Sequence, residues 1–241
     1  MTDPSAPPDS GSIRLHVQAD LAAGAPVLLD EGQSRYLGTV MRKTAGDALR
    51  LFNGRDGEWR AVIGEIGKRG ARLEAETLIR PQAPEPDLWL LISIIKRDAL
   101  EWVVEKATEL GVSVILPVIT QRSQPARPNA ERLQTIATEA AEQCERLTVP
   151  MVRGVQPLDG LLRQWPNARP LIAAVERDDV APPPPQTSSP AALLIGPEGG
   201  FDPRELDAMR KLPFLVPASL GPRILRAETA AIVGLALLQR P

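Results

Sequence analysis

The pattern of hydrophobic and polar residues changes its character once along the chain, close to residue 80. Between residues 13 and 79, apolar residues form short runs and alternations with polar residues, as half-buried β-strands do. A cluster of turn-forming residues at 52–57 (FNGRDG) predicts a turn that joins two of these strands. Only residues 34–42 favour a short helix. The pattern therefore predicts a small domain over residues 13–80 that is made mostly of strands.

Residues 80–87 (RPQAPEPD) separate this domain from the rest of the chain. The prolines in this stretch disfavour both a helix and a central strand, so we expect a linker over residues 81–87. Beyond it, apolar strands alternate with amphipathic helices, which predicts an α/β domain with a mostly parallel sheet over residues 88–241. The polar, proline-rich residues 1–12 are expected to form a disordered tail.

Capping residues support two of the helices. Asp98 is a suitable N-cap with Glu101 three positions later, and Gly111 is suited to end the same helix. Asn129 is a suitable N-cap for the next helix, whose apolar face includes Cys144. We therefore interpret Cys144 as a packing residue and not as a nucleophile.

Composition removes several classes of function. The 241 residues include one cysteine and one histidine, which excludes an internal disulfide, a cysteine-based zinc site and a multi-histidine metal centre. The longest apolar runs are too short to cross a bilayer, and the N-terminus does not resemble a secretory signal. We expect a soluble, cytoplasmic protein with no metal and no membrane partner.

The charge distribution leaves two interpretations open. The net charge of −2 does not by itself indicate a nucleic-acid ligand. However, residues 35–72 contain nine basic residues against four acidic ones, and 23 of the 28 basic residues in the chain are arginine. Arginine is suited to bidentate phosphate contacts. The local excess is either a phosphate-facing patch or a general preference for arginine on a solvated surface.

Two loops near the C-terminus each follow a short apolar strand and precede a helix. The first covers residues 196–201 (GPEGGF), with Asp202 as N-cap of the next helix, and the second covers residues 220–226 (LGPRILR). In an open parallel sheet such loops lie beyond the carboxyl ends of the strands, where ligands bind. The glycines allow a flat heterocycle to approach the backbone, and the first loop matches neither the P-loop nor the dinucleotide motif. A pair of tight turns that simply need glycine is the alternative.

Six motifs, in the same order along the chain, resemble the 16S ribosomal RNA (uracil-N3)-methyltransferases of the RsmE family, in the SPOUT class. They are Lys96-Arg97-Asp98 with Glu101, and the segments at residues 105–112, 121–123, 139–143, 195–201 and 220–230. The N-terminal part is similar to the PUA-like RNA-binding barrel of that family. The resemblance implies a PUA-like β-barrel domain followed by an α/β trefoil-knot methyltransferase domain, and a homodimer through the latter.

The resemblance also implies S-adenosylmethionine as cofactor, held by three loops at the carboxyl ends of strands. The implied cofactor-binding residues are Ala173, Ala174, Val175, Glu176, Ile195, Gly196, Pro197, Gly199, Gly200, Leu220, Gly221, Ile224, Leu225 and Thr229. The implied RNA-binding residues, which would contact 16S rRNA in the small ribosomal subunit, are Arg35, Arg42, Lys43, Arg55, Lys96 and Arg122.

The implied reaction is methyl transfer to N3 of a uridine, and Arg226, Arg223 and Glu198 are the candidate catalytic residues. The arginines would stabilise charge that develops on the ring oxygens of uracil. Glu228 is a candidate to orient them, whereas Glu198 either polarises the base or braces its turn. With one histidine, at position 16, the sequence shows no side-chain base for the N3 proton.

Some features depart from the family pattern. Ala227 stands where threonine is usual, Cys144 stands where serine is usual, and the prolines at 182–185 are interpreted as an exposed surface insertion. Two other functions remain open at this point. One is methylation of a ribose 2′-hydroxyl by an enzyme of the same class, and the other is ribosome binding without catalysis.

Overall fold

A computed structural model of the chain describes residues 13–175, 181–186 and 190–240. The expected disordered tail at 1–12 lies outside these residues. The chain divides into two compact units, of which one extends to Pro84 and also includes Ala141–Thr148. The other contains Glu85–Ala140 and the residues from Val149 onward. Residues 81–87 form no helix or strand. Within the described residues, no helix is both long enough and apolar enough to cross a membrane.

The first unit is built on a five-stranded sheet in the order β1-β3-β4-β5-β2. Its strands are β1 (Arg14–His16), β2 (Pro26–Leu29), β3 (Ala48–Phe52), β4 (Glu58–Gly67) and β5 (Gly70–Arg80). The predicted turn at 52–57 joins β3 to β4. Gly57 in this turn has φ +81°, and a Cβ there would lie 2.3 Å from the carbonyl oxygen of Arg80. The turn therefore requires glycine at this position.

The short helix of the first unit begins earlier than the sequence pattern predicts. Helix α1 covers Glu31–Arg35, because the Asp30 side chain accepts a hydrogen bond from the backbone N of Gln33 at 2.8 Å. A π-helical turn follows at Tyr36–Val40. Arg42 then adopts φ +54°, which ends the helical segment.

A buried carboxylate lies at the centre of the polar contacts in the first unit. Glu58 is fully buried and forms ion pairs with Arg14, with Arg80 at 2.6 Å and with Arg50 at 3.7 Å. Arg14 also donates to the backbone carbonyl of Ala141 at 2.8 Å. Burial lowers the pKa of Arg14 from its usual value. The Glu58 cluster thus holds the segment that starts at Ala141 within this unit.

The second unit contains a seven-stranded sheet in which every pair of neighbouring strands is parallel, as the sequence predicts. The strand order is β12-β10-β11-β6-β7-β8, and β9 also pairs with β7. The strands are β6 (Leu88–Ser93), β7 (Val114–Ile119), β8 (Met151–Val152), β9 (Gln156–Pro157), β10 (Leu171–Ala174), β11 (Ala191–Ile195) and β12 (Leu215–Ala218). The helices are α2 (Arg97–Glu109), α3 (Ala130–Gln143), α4 (Leu158–Arg163), α5 (Pro203–Met209) and α6 (Ala227–Leu238).

Helices cover both faces of this sheet. Alternate residues of β6 enter two different cores, with Leu90 in one and Leu91 in the other. The first core also contains apolar residues of α2, α3 and α6, whereas the second contains residues of α4 and α5. The fully apolar character of β6 follows from this arrangement, because both of its faces are buried.

The helix boundaries confirm some of the predicted caps and contradict others. Gly111 follows the end of α2 with φ +79°, and the Asn129 side chain accepts from the backbone N of Arg132 at 3.1 Å. The prediction that Asp98 is an N-cap is wrong, because α2 already begins at Arg97 and Asp98 lies in its first turn. There its charge still suits the positive end of the helix dipole. Cys144 lies beyond the end of α3 and is half-buried, so its predicted position on a buried helical face is also wrong.

Candidate functional site

The carboxyl ends of three neighbouring strands lie at the same level of the sheet. Ala174, the last residue of β10, is paired in register with Ile195 at the end of β11 and with Ala218 at the end of β12. The backbone N of Val175 donates to the carbonyl of Ala218 at 3.0 Å. The three predicted cofactor loops therefore begin side by side. Glu176, the last predicted residue of the first loop, lies outside the described residues.

The loop after β11 forms a tight turn with an accessible backbone. The N of Gly200 donates to the carbonyl of Pro197 at 2.9 Å, and Gly200 has φ +68°. A Cβ at Gly196 would lie 3.0 Å from the ring of Phe201, so a larger residue would displace that ring. Gly199 is exposed, and a Cβ there would meet no atom nearer than 4.0 Å. A ligand can thus approach the backbone at Gly199.

A turn after β7 holds this glycine loop from the neighbouring part of the sheet edge. Arg122 donates to the carbonyl of Gly199 at 3.1 Å and to the Asp202 carboxylate at 3.4 Å. The side-chain amide of Gln124 donates to the carboxylate of Glu198 at 3.3 Å. Arg122 is one of the residues predicted to bind RNA, and the structure places its guanidinium against the glycine loop.

Buried hydroxyl groups hold this turn in place. Ser93, at the end of β6, lies 2.9 Å from the hydroxyl of Thr120 and 2.8 Å from that of Ser123. The Ser123 hydroxyl also accepts from the backbone N of Thr120 at 2.7 Å. Gln124 and these hydroxyl groups are not among the site residues predicted from the sequence. The available signal was that residues 120–124 directly follow a predicted parallel strand, as the two glycine loops do.

The loop after β12 is held by the proline segment. The backbone N of Ser219 donates to the carbonyl of Pro182 at 2.8 Å, and Arg240 donates to the carbonyl of Pro184. Pro184 is buried. The predicted exposure of residues 182–185 holds for Pro182, Pro183 and Pro185 but not for Pro184, and the segment lies beside the predicted cofactor loop. Within that loop Gly221 has φ +116°, and a Cβ there would meet nothing within 4 Å.

The two candidate catalytic arginines are exposed in the loop that precedes α6. Arg226 is the residue that precedes this helix, and its side chain is 86% exposed. Its guanidinium lies 4.0 Å from the carboxylate of Glu228, which is the outer limit of an ion pair. Arg223 is also exposed. Both side chains are therefore available to a ligand at this edge.

The remaining predicted residues of this loop differ in their exposure. Ile224 is 59% exposed, Thr229 is exposed, and Leu220 and Leu225 are half-buried. The loop thus presents an apolar group beside the two arginines.

Only some of the basic residues between positions 35 and 72 are available on the surface of the first unit. Arg35 and Arg42 are exposed on either side of the π-helical turn, and Lys43 is half-buried. Arg55 instead pairs with the carboxylate of Asp20 at 2.9 Å. Arg50, which also contributes to the basic excess, is buried against Glu58.

Lys96, the predicted RNA-binding residue of the second unit, is exposed immediately before α2. It lies beyond the end of β6, which neighbours both β7 and β11 in the sheet. Its amino group is therefore on the same edge as the glycine loops.

Comparison with known proteins identifies the family. A family model described as an RNA methyltransferase domain matches residues 82–239, and one described as an RNA methyltransferase PUA domain matches residues 29–76. Ribosomal RNA small subunit methyltransferase E of Rickettsia conorii is 34% identical over 227 residues, covering 92% of this chain and 93% of that protein. The chain belongs to the ribosomal RNA small subunit methyltransferase E family.

Other members of the methyltransferase E family and two solved structures agree with this result. The Bacillus subtilis member is 32% identical, covering 89% of this chain and 90% of its own length. A methyltransferase from Legionella pneumophila, solved with bound S-adenosylmethionine, is 32% identical with a TM-score of 0.85 over 95% of this chain and 97% of its own. The methyltransferase E of Neisseria gonorrhoeae, also bound to S-adenosylmethionine, is 28% identical with a TM-score of 0.84 and the same coverage. The family and the order of the two domain types predicted from the sequence are thus confirmed.

Proposed function

We propose that this protein transfers a methyl group from S-adenosylmethionine to N3 of a uridine in the 16S rRNA of the small ribosomal subunit. The observation that carries the proposal is the alignment of Ala174, Ile195 and Ala218 at one edge of a parallel sheet. Two of these three strands lead into loops with an accessible glycine backbone. The family membership and the relatives solved with S-adenosylmethionine support the choice of cofactor.

The residues at this edge fit such a cofactor. A flat heterocycle needs backbone donors and acceptors without side chains above them, and Gly199 and Gly221 leave that space open. When bound, the cofactor supplies a methyl group on a positively charged sulfur, and no metal is required. The residues that would hold it are Ala173, Ala174, Val175, Glu176, Ile195, Gly196, Pro197, Gly199, Gly200, Leu220, Gly221, Ile224, Leu225 and Thr229.

Arg226 and Arg223 act in this proposal on the uracil ring. Loss of the N3 proton puts negative charge on the two ring oxygens, and guanidinium groups near them stabilise that charge. The high exposure of Arg226 supports this role, because among the described residues its guanidinium has only the 4.0 Å pair with Glu228 to compete for it. Glu228 limits the directions in which Arg226 points. The contact of Glu198 with Gln124 favours a bracing role over direct contact with the base.

The first unit supplies RNA affinity in this proposal. We propose the limits 13–80 for its domain and 88–241 for the methyltransferase domain, with Ala141–Thr148 folded onto the former. Arg35, Arg42 and Lys43 beside the π-helical turn would contact phosphates, and Lys96 would do so in the second domain. Arg55, whose side chain is half exposed beside Asp20, belongs to the same proposed set.

We also propose that the protein is a cytoplasmic homodimer formed through the methyltransferase domain. Helix α6 is apolar from Ala230 to its end, yet Ala236 is exposed and Ile232 and Val233 are only half-buried. On α2, which packs against α6, Trp102 is 43% exposed. A second copy would cover this apolar face. Sedimentation equilibrium tests the dimer, and a monomer at micromolar concentration would contradict it.

The proposal is tested by transfer of labelled methyl from S-adenosylmethionine to small ribosomal subunits that lack the modification, followed by nucleoside analysis. Labelled N3-methyluridine is the expected product. A label on a ribose hydroxyl would replace the proposed acceptor, and binding of the cofactor without transfer to any site would contradict the proposed substrate.

Arg226→Ala should reduce turnover far more than tenfold while the affinity for S-adenosylmethionine is unchanged, because charge stabilisation is needed only in the transition state. Arg210→Ala, at the end of α5, is the matched control and should retain wild-type turnover. Single-turnover transfer and calorimetric cofactor binding measure the two quantities. Wild-type turnover in Arg226→Ala would remove this residue from the mechanism.

A further inference from the structure

The strand that leads into the last cofactor loop lies at an edge of the sheet. Among the described residues, β12 pairs with β10 on one side and with no strand on the other. The carbonyl of Ala218 points towards β10, because it accepts from the backbone N of Val175 at 3.0 Å. Backbone groups of successive residues alternate between the two sides of a strand, so the N–H of Ser219 points to the open side. An amide at such an edge is available to an acceptor from outside the sheet.

The proline segment at residues 182–185 supplies this acceptor. The carbonyl of Pro182 accepts from the backbone N of Ser219 at 2.8 Å. Proline has no backbone N–H, so four consecutive prolines can accept from a strand edge but cannot pair with it as a further strand. Ser219 directly follows β12 and directly precedes the loop at 220–226. The hydrogen bond therefore acts at the point where the proposed cofactor loop begins.

The same segment is fastened to the C-terminal end of α6. Arg240 donates to the carbonyl of Pro184 at 3.3 Å and to the carbonyl of Leu237 at 3.0 Å. Gln186, which follows the segment, donates to the backbone carbonyl of Arg240 at 2.5 Å. Pro184 is buried, whereas the prolines on either side of it are exposed. The segment is thus anchored at a place that is separate from the cofactor loop.

These contacts connect the start of the loop to the far end of the helix that follows it. Helix α6 covers Ala227–Leu238 and is about 18 Å long. At the other end, the Ser219 hydroxyl accepts from the backbone N of Gly221 at 3.4 Å. Gly221 is exposed and has φ +116°, so its position depends on backbone contacts of this kind. A restraint on Ser219 is therefore also a restraint on Gly221.

We propose that the proline segment at 182–185, anchored by Arg240, positions the loop at 220–226 and thereby raises the affinity for S-adenosylmethionine. Pro182, Pro184 and Arg240 act through Ser219 and do not contact the cofactor. If the start of the loop were unrestrained, its cofactor-binding residues would occupy more conformations, and binding would have to order them. Protection of the sheet edge is the alternative role, and it predicts no change in cofactor affinity. This inference rests on the proposed function.

Two variants release the segment, and a third is their control. Arg240→Ala removes the donor to Pro184, and Pro184→Ala removes the buried ring. Pro185→Ala makes the same change of residue at the exposed neighbour. In hydrogen exchange of the full chain without cofactor, peptides over residues 216–226 should exchange about three- to tenfold faster in the first two variants, as loss of one neutral hydrogen bond predicts. Pro185→Ala should match the wild type.

Cofactor affinity separates positioning from a purely structural role. Arg240→Ala and Pro184→Ala should raise the Kd and the KM for S-adenosylmethionine by about threefold or more with kcat unchanged, because no group that acts on the uridine is altered. Arg240→Lys keeps a donor and should recover part of the affinity. Faster exchange with unchanged affinity would leave only edge protection and overturn the proposal. Faster exchange that extends to peptides from β6 would show general destabilisation and overturn it as well.

The failure of this inference is distinguishable from failure of the proposed function. If the wild type methylates uridine N3 and all variants keep wild-type exchange and cofactor affinity, the proposed function stands and this inference fails. If the first two variants bind S-adenosylmethionine more weakly, but the wild type methylates no uridine at N3, this inference stands and the proposed reaction fails.

Discussion

Substitution of Glu58 tests how the first unit is held together. Glu58→Gln preserves the shape of the side chain but leaves the charges of Arg14, Arg50 and Arg80 without their shared carboxylate. Removing one partner of a buried ion pair lowers the free energy of unfolding by about 3–5 kcal/mol. Since each 1.4 kcal/mol is a factor of ten in an equilibrium constant, amide exchange in β4 and β5 should accelerate by about 100-fold or more.

Glu76→Gln is the matched control, because Glu76 lies on the neighbouring strand and pairs with Arg60 at the surface. An exposed pair contributes at most about 1 kcal/mol, so exchange should change less than tenfold. Hydrogen exchange with mass spectrometry localises the effect, and peptides from β11 serve as an internal reference. Equal exchange in the Glu58 and Glu76 variants would refute the argument.

Three further outcomes are expected. Arg122→Ala removes the guanidinium that holds the glycine loop. It should weaken S-adenosylmethionine binding about tenfold in calorimetry, as loss of one charge-assisted hydrogen bond does. Unchanged affinity would show that this contact does not contribute to cofactor binding. The hydrogen bond from Arg169 lowers the pKa of Asp87, so the stability that this pair contributes is present above about pH 4 and is lost as the pH falls. Asp87→Asn should therefore flatten the acid side of a plot of Tm against pH. An unchanged curve would contradict this. Gly234→Ala gains about 1 kcal/mol in helix propensity. However, its Cβ would lie 2.8 Å from a methyl carbon of the buried Leu193, and overpacking costs about 1–3 kcal/mol. Urea denaturation should show equal or lower stability, and a more stable variant would be evidence against tight packing at this position.

Much of the fold could be predicted from the sequence because the relevant sequence patterns are local. Alternation of apolar residues in the first unit, continuous apolar runs such as β6, and glycines at turns such as Gly111 each depend on a few neighbouring positions. The loops at 196–201 and 220–226 could be predicted for the same reason, because a strand, a loop that contains glycine and a helix follow one another directly in the chain. The first residues of helices were harder to predict. Asp30 and Asp98 are equally suitable N-caps by residue type, but only Asp30 caps a helix.

The partners of polar side chains were decided by the tertiary structure. Arg50 counts as a surface charge in the sequence, yet the pairing of β3 with β4 brings it against the buried Glu58. Arg122 lies 77 positions from Gly199, and their contact exists because β7 and β11 flank β6 in the same sheet. Pro182 contacts Ser219 for a similar reason, as both lie at the edge where β10 and β12 end.

The strands, helices and glycine loops can be predicted from the amino-acid sequence alone, and its motifs indicate the family. Which charges face solvent and which residues support the glycine loop depends on how the chain folds in three dimensions. The physical reason is that backbone conformation responds to neighbours along the chain, whereas burial and hydrogen-bond partners depend on the order of strands in the sheet.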